Sequence, residues 1–169
     1  SVRGVEETSC ACGTQRSGEA AEVLKKGYAN VVLAGGCEAG ISQLGLGGFS
    51  TIRALTSQNE NPKTASKPFD ANRDGFVPAE GAGVLILESL EHAINRGANI
   101  LGEVLGQASS SDAFHLVQPD DQGAGAARAI IWALEDAGVS NNEVNYINAH
   151  GTSTPYNDRN ESAAIHVCL

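Results

Sequence analysis

Two short stretches hold the residue types that could make and break bonds. Thr8-Ser9-Cys10-Ala11-Cys12-Gly13-Thr14 precedes a helical pattern, which puts Cys10 at or just before a helix N-terminus. Unpaired N–H groups and the positive end of the helix dipole favour a thiolate there, and a thiolate is a nucleophile. A small buried Cys filling a tight turn fits the same spacing, and spacing alone does not separate the two readings. Cys12 and Cys37 are assigned to that plainer role. The second stretch, Asn148-Ala149-His150-Gly151-Thr152-Ser153-Thr154-Pro155, ends an apolar segment in a run of small residues. An imidazole placed there faces a cleft, and sparse side chains let a ligand approach the backbone. A lone His is more often structural, but Cys10 with His150 makes a nucleophile and proton-handling pair. His92 and His166 fall on helical patterns and are expected at the solvated surface.

Other constellations fail on spacing. Asp70-Ala71-Asn72-Arg73-Asp74-Gly75 opens like a calcium loop, yet position 81, where the bidentate Glu belongs, is Gly81, and Pro68 and Pro78 do not suit flanking helices. Arg73 and Asp74 are therefore expected to serve structure. Gly123-Ala124-Gly125 lacks the third Gly and the preceding strand of a dinucleotide site, and no Cys/His spacing matches zinc.

The elements that must position these residues follow from periodicity. Ala20, Ala21 and Leu24 recur at helical spacing and predict a helix over Thr14–Lys26, stopped by Gly27. Val31–Ala34 and Val84–Leu87 are apolar runs of the kind buried on both faces of a sheet. The polar stretch Thr56–Arg73 reads as a long surface loop, and Leu90–Arg96 as a short helix closed by Gly97. Ile100–Ala108 and Val144–Asn148 are expected strands, and Gly125–Ala137 and Asn157–Val167 expected helices. Alternating strands and helices make the fold class α/β.

Composition excludes several classes. The net charge of −9 argues against nucleic acid and against an anionic membrane surface. The longest apolar runs fall far short of the roughly 20 residues that span a bilayer. Four Cys in 169 residues do not make a disulfide framework, and the expected location is a reducing compartment, the cytoplasm or a plastid or mitochondrial matrix. At 41% hydrophobic the chain is expected to bury a real core.

Taken together, Thr8–Thr14, Ala34-Gly35-Gly36-Cys37-Glu38, Arg53-Ala54-Leu55, Arg73-Asp74-Gly75-Phe76-Val77 with Glu80-Gly81-Ala82-Gly83, and Asn148–Pro155 resemble the β-ketoacyl-[acyl carrier protein] synthases. The type most closely resembled is the elongating synthase of type II fatty acid synthesis. The resemblance implies a thiolase-like layered αβαβα fold, present here in part. Residues 1–98 would be the end of the N-terminal half, and 99–169 the start of the C-terminal half. It places the nucleophile on Cys10 and the first active-site His on His150. Thr152 and Thr154 would meet the pantetheine arm. Asp158 and Glu161 would support a catalytic Lys farther on, Phe49 and His115 would border the acyl and active sites, and Arg53 would lie near the carrier-protein face. Ser9, Cys12, Gln15 and Val117 depart from the family pattern.

The implied activity is a decarboxylating condensation of malonyl-carrier protein with an acyl group held on Cys10. Acyl carrier protein is the implied partner, with a homodimer as the assembly. No metal and no resident organic cofactor is expected, because phosphopantetheine arrives on the carrier. The catalytic Lys, the second His and a Phe-Gly pair of the family fall outside the 169 residues, so this stretch alone is expected to be inactive. A ketosynthase of a polyketide synthase and a non-catalytic chain-length factor are the rival readings; the factor would lack Cys10.

Overall fold

The computed structural model describes residues 9–169, so Thr8 lies outside the described residues. A single 3₁₀ turn, Ser9–Ala11, leads into helix α1, Cys12–Lys25. Gly27 ends α1 with φ +69°, and its N–H and that of Tyr28 bond the carbonyls of Leu24 and Val23. Those bonds satisfy carbonyls that the helix end would otherwise orphan. The chain then enters β1, Val31–Glu38, which pairs antiparallel with β2, Gly81–Glu88, from Val31 opposite Glu88 to Glu38 opposite Gly81.

Helix α1 packs on β1, and along that strand Ala34 is buried and Val32 half-buried while Val31 and Leu33 are exposed. Burial on both faces, expected from the apolar runs, is thus not what these strands show: Leu33 is 69% exposed and Ile86 65%. Four apolar residues in a row announce a sheet interior, but among the described residues α1 covers one face of this ladder and no layer lies on the other.

Between the two strands lie α2, Gln43–Thr51, capped by the Ser42 hydroxyl, and the predicted long loop. Inside the loop a 3₁₀ turn spans Pro62–Thr64, and a lone parallel bridge joins Leu55 to Phe76. Gly75 permits that bridge. A Cβ there would stand 2.4 Å from the Leu55 carbonyl carbon and 2.5 Å from the Thr56 nitrogen, both unyielding backbone. Helix α3, Leu90–Asn95, follows β2 directly, with Ser89 as its cap.

The second half contains α4, Ala124–Ala137, and α5, Pro155–Cys168. They pack through Ala127, Ala164 and Cys168, with Ile130 alongside. The segments 100–108 and 144–148, expected as strands, join no ladder among the described residues. Alternation of side chains is present in them, but a strand also needs a neighbour's N–H and C=O groups. Gly106 shows that the first segment is nevertheless tightly seated, since a Cβ there would meet Ala137 N at 2.5 Å and Ala133 O at 2.7 Å.

The core expected from the composition is small among the described residues. Their buried apolar residues are alanines and Cys168, and the accessible surface is 12126 Å². A compact monomer of 17.4 kDa would expose about 7,900 Å². Apolar surface is thus left open along the sheet and beside α4. No helix among the described residues is long and apolar enough to cross a membrane.

Candidate active site

Cys10 sits on the 3₁₀ turn that runs into α1, with its side chain exposed. Ala11 is the N-cap and makes no side-chain cap bond, and the positive end of the α1 dipole lies beside the Cys10 turn. The position is the expected one, just before a helix N-terminus. Cys37, expected to be buried, is exposed at the end of β1, and Cys12 is half-buried. Cys168 is the buried thiol; its surroundings raise its pKa, which keeps it protonated.

His150 lies at the mouth of the loop 149–154 that leads into α5, and its ring is exposed. The backbone of the loop is pinned by two acids from the first turns of α5. Glu161 takes the His150 N–H on Oε1 at 2.5 Å and the Gly151 N–H on Oε2 at 2.8 Å. Asp158, with no exposed surface, takes Ser153 N–H at 3.2 Å on Oδ1 and Phe69 N–H at 2.7 Å on Oδ2. The Asn157 amide donates to both carboxylates, at 3.1 and 3.2 Å. Carboxylates at a helix N-terminus are favoured by its dipole, and here they also satisfy loop amides that would otherwise be stranded. Sequence reasoning gave Asp158 and Glu161 a Lys to support; within the described residues their oxygens are taken by N–H donors and, for Asp158, by Arg73 at 3.3 Å.

Thr152 and Thr154 are brought together with hydroxyl oxygens 2.8 Å apart. Thr154 Oγ1 also accepts Asn157 N–H as the α5 cap, and Thr152 Oγ1 accepts Thr154 N–H. Of the two hydroxyl protons one is spent between them, which leaves the other to point at a ligand carbonyl. Ser153, between them, is fully buried at φ +70°, and its hydroxyl accepts Lys67 N–H at 3.1 Å. Gly151, at φ +51°, lies beside the Phe69 ring, where a Cβ would be strained by the backbone and tight against the ring at 3.3 Å.

The loop that carries Arg73 and Asp74, two residues expected to serve structure, is the other jaw of this cluster. Asp74 accepts from the Thr56 hydroxyl at 2.5 Å, the Ser57 amide and hydroxyl, and the Gln58 side chain. The Thr56 bond first, then the Ser57 amide, hold its carboxyl down at about 2. Arg73 crosses to the His150 loop, donating to the carbonyls of Thr154, Pro155 and Asp70. Asp70 Oδ1 meanwhile accepts Asn72 N–H, and no cluster of metal-ligating residues occurs among the described residues.

The remaining candidates stand apart from this cluster. Phe49, on α2, is exposed and meets Phe76 edge to face, ring centres 5.1 Å apart. Arg53 is exposed just beyond α2 at φ +55°. His115 is exposed, and its Nδ1 accepts the amides of Val117 and Gln118, both at 3.1 Å. Backbone amides only donate, so the proton sits on Nε2. Cys10 is on a separate element, outside the hydrogen-bonded cluster around His150. His92, expected at the solvated surface, is half-buried with Nδ1 2.7 Å from Glu88, which also pairs with Arg96. The Arg96 bond, then that of His92, lower the Glu88 carboxyl to about 2. Sequence reasoning missed Lys67, Phe69, Ser153 and Asn157, because two of them act through backbone N–H groups and the positive φ at Phe69 and Ser153 leaves no mark in residue type.

The N-terminal domain pattern of the β-ketoacyl synthases matches residues 4–93, and their C-terminal domain pattern matches residues 101–169. Over 162 residues, 96% of the chain, it is 51% identical to the 3-oxoacyl-[acyl-carrier-protein] synthase 2 of Synechocystis sp. and 48% to that of Staphylococcus aureus. The chain spans 39% and 40% of those relatives' lengths. A type II polyketide ketosynthase solved with its acyl-carrier protein superposes with a TM-score of 0.93 at 48% identity, covering 96% of this chain and 40% of that one. A β-ketoacyl synthase from Burkholderia phymatum superposes at 0.90 and 43% identity, covering 94% and 38%. These matches bear out the thiolase-like α/β class expected from the sequence. With both domain patterns present and the chain covered nearly from end to end, it belongs to the β-ketoacyl synthase family.

Proposed function

We propose that the protein of which this chain forms part is a condensing acyltransferase that elongates an acyl chain by two carbons. The observation that carries the reading is that this chain holds both an exposed Cys10 at the start of α1 and, on a separate element, a His150 loop locked by Glu161 and Asp158. The Cys10 thiolate attacks the thioester carbon of an acyl-carrier protein, and the carrier's thiolate leaves. Malonyl-carrier protein then enters, with Thr152 or Thr154 donating to its pantetheine arm. His150 donates a hydrogen bond to the malonyl thioester oxygen as carbon dioxide departs and the electron pair moves onto the α-carbon. That carbon attacks the acyl carbonyl, a C–C bond forms, and Cys10 leaves as thiolate. A preorganised donor at such an oxyanion is worth about 10²–10³ in rate.

Phosphopantetheine comes in on the carrier, so the reaction asks for no resident cofactor or metal. Arg53 is exposed beyond α2, where it can meet an acidic carrier surface, while Phe49 and His115 border the approach. The division of the chain near residue 98 separates the nucleophile-bearing part from the His-bearing part. Assembly is a homodimer: β1 has only β2 beside it among the described residues, so its other edge is open, and with Val31 and Leu33 exposed it is an apolar strand that a second copy can extend. The setting is the cytoplasm or an organellar matrix.

The test is the full-length protein supplied with acyl- and malonyl-carrier thioesters, with Cys10 acylation and carbon dioxide release followed separately. His150→Ala should abolish decarboxylation and leave acylation at least partly intact; equal loss of both would remove His150 from the chemistry. A polyketide role is the second reading, favoured by the 0.93 superposition on a polyketide ketosynthase. Preference for poly-β-ketoacyl over saturated acyl thioesters would select it.

A further inference from the structure

Arg73 lies on the loop before β2, far along the chain from His150, yet its guanidinium spans the ground between the two jaws of the site. Its side chain is 18% exposed and pairs with Asp158, which is 0% exposed, at 3.3 Å. Its remaining N–H groups donate to Asp70 O at 2.9 Å on its own loop and to Pro155 O at 3.0 Å on α5, and Nε also reaches Thr154 O at 3.3 Å. A carboxylate removed from water needs a cation and a full set of donors, and Arg73 is the cation within ion-pair distance of Asp158. The forked guanidinium suits this task better than an ammonium, because several acceptors must be held at fixed angles.

We propose that Arg73 is a positioning residue for His150, acting through Asp158 and the start of α5. The path is short. Asp158 fixes Ser153 N–H directly; Asn157 links Asp158 to Glu161; and Glu161 holds the amides of His150 and Gly151. Removing the guanidinium lets the first turn of α5 shift, and the two amides that set the direction of the His150 ring shift with it. Cys10 sits on the 3₁₀ turn before α1, and neither element takes part in these bonds. Loss of Arg73 therefore weakens the step that His150 serves and spares the step that Cys10 serves. This inference rests on the condensing-enzyme reading and assigns within it a residue that touches neither substrate.

The experiment compares Arg73→Ala and Arg73→Lys with the unmodified full-length protein in the two half-reactions, alongside thermal melting. Arg73→Ala is expected to lower kcat for malonyl decarboxylation about 10- to 100-fold, the scale of a displacement near 1 Å, with Cys10 acylation changed less than about threefold. Ethylguanidinium added to Arg73→Ala should restore decarboxylation in part, whereas ethylammonium should not. Arg73→Lys keeps the charge and loses the fork, so it should show the same unequal loss in milder form. It also serves as the variant to read if Arg73→Ala does not fold. Equal losses in both half-reactions, no rescue by ethylguanidinium in a folded Arg73→Ala, or unimpaired decarboxylation in Arg73→Lys would each overturn the proposal. Absence of acylation and of decarboxylation in the unmodified protein would instead defeat the underlying reading of function.

Discussion

Glu161 offers a perturbation whose effect can be worked from atoms. Its two carboxylate oxygens meet three donors: His150 N–H at 2.5 Å, Gly151 N–H at 2.8 Å and the Asn157 amide at 3.2 Å. Glu161→Gln preserves shape and replaces one acceptor by an NH₂ donor. If the NH₂ takes the first position it confronts His150 N–H; if the second, it confronts Gly151 and Asn157 together. Either rotamer loses at least one charge-assisted bond in a half-buried setting, about 2 kcal/mol of local order. Hydrogen exchange of the peptide spanning residues 148–154, read by mass spectrometry on the full-length protein, should then accelerate about 30-fold at His150 and Gly151. A change smaller than about threefold would refute the carboxylate clamp, and so would an equal acceleration in α4, since that would report global loosening.

Other outcomes follow from the same geometry. Iodoacetamide should label Cys10 first and Cys168 last, because the first is exposed at a helix start and burial raises the pKa of the second; peptide mapping with Cys37 ahead of Cys10 would refute activation by α1. Asp74, lowered from 3.8 to about 2, contributes stability that is present above pH 3.8 and lost as pH falls through about 2. Pepsin cleavage within residues 57–72 should therefore rise over that interval, and Asp74→Asn should abolish the pH step. Gly75→Ala must drive a Cβ into the backbone of Leu55 and Thr56 and should cost about 1–3 kcal/mol; an unshifted denaturant midpoint would contradict the close approach. Leu33→Asp should dissociate the proposed dimer in sedimentation, and a variant that stays dimeric would exclude pairing through β1.

Helices α1, α4 and α5 were legible because small and apolar residues recur on one face and Gly27 and Gly138 stop the first two in the left-handed region. Their starts were less so: α1 begins at Cys12 rather than Thr14, since nothing in residue type marks where a 3₁₀ turn relaxes into an α-helix. The run Val31–Ala34 identified a strand but not its surroundings, because hydrophobicity reports a preference for burial and says nothing of which neighbours supply it. For the candidate site, Cys10 and His150 are named by type and position, whereas Asp158 and Glu161 are named only through family resemblance. What the two acids hold was beyond local pattern: the bonds to Phe69 and Arg73 join residues more than eighty positions apart, and no periodicity spans such a distance.

That separation has a kinetic side. Phe69 to Asp158 closes a loop of 89 residues, Lys67 to Ser153 one of 86 and Arg73 to Pro155 one of 82. Ordering loops of this length comes before the contacts that reward it, so such contacts belong late on a folding route. Helix α1 and the β1–β2 ladder depend on nearer neighbours and can form while α5 is still being synthesised at about 5–20 residues per second. The His150 loop gains its direction only when the acids of α5 reach the waiting donors of residues 67–73. A nascent chain thus displays the Cys10 thiol before the His150 loop has a fixed direction, and under the proposed function the step that His150 serves becomes possible later than the step that Cys10 serves.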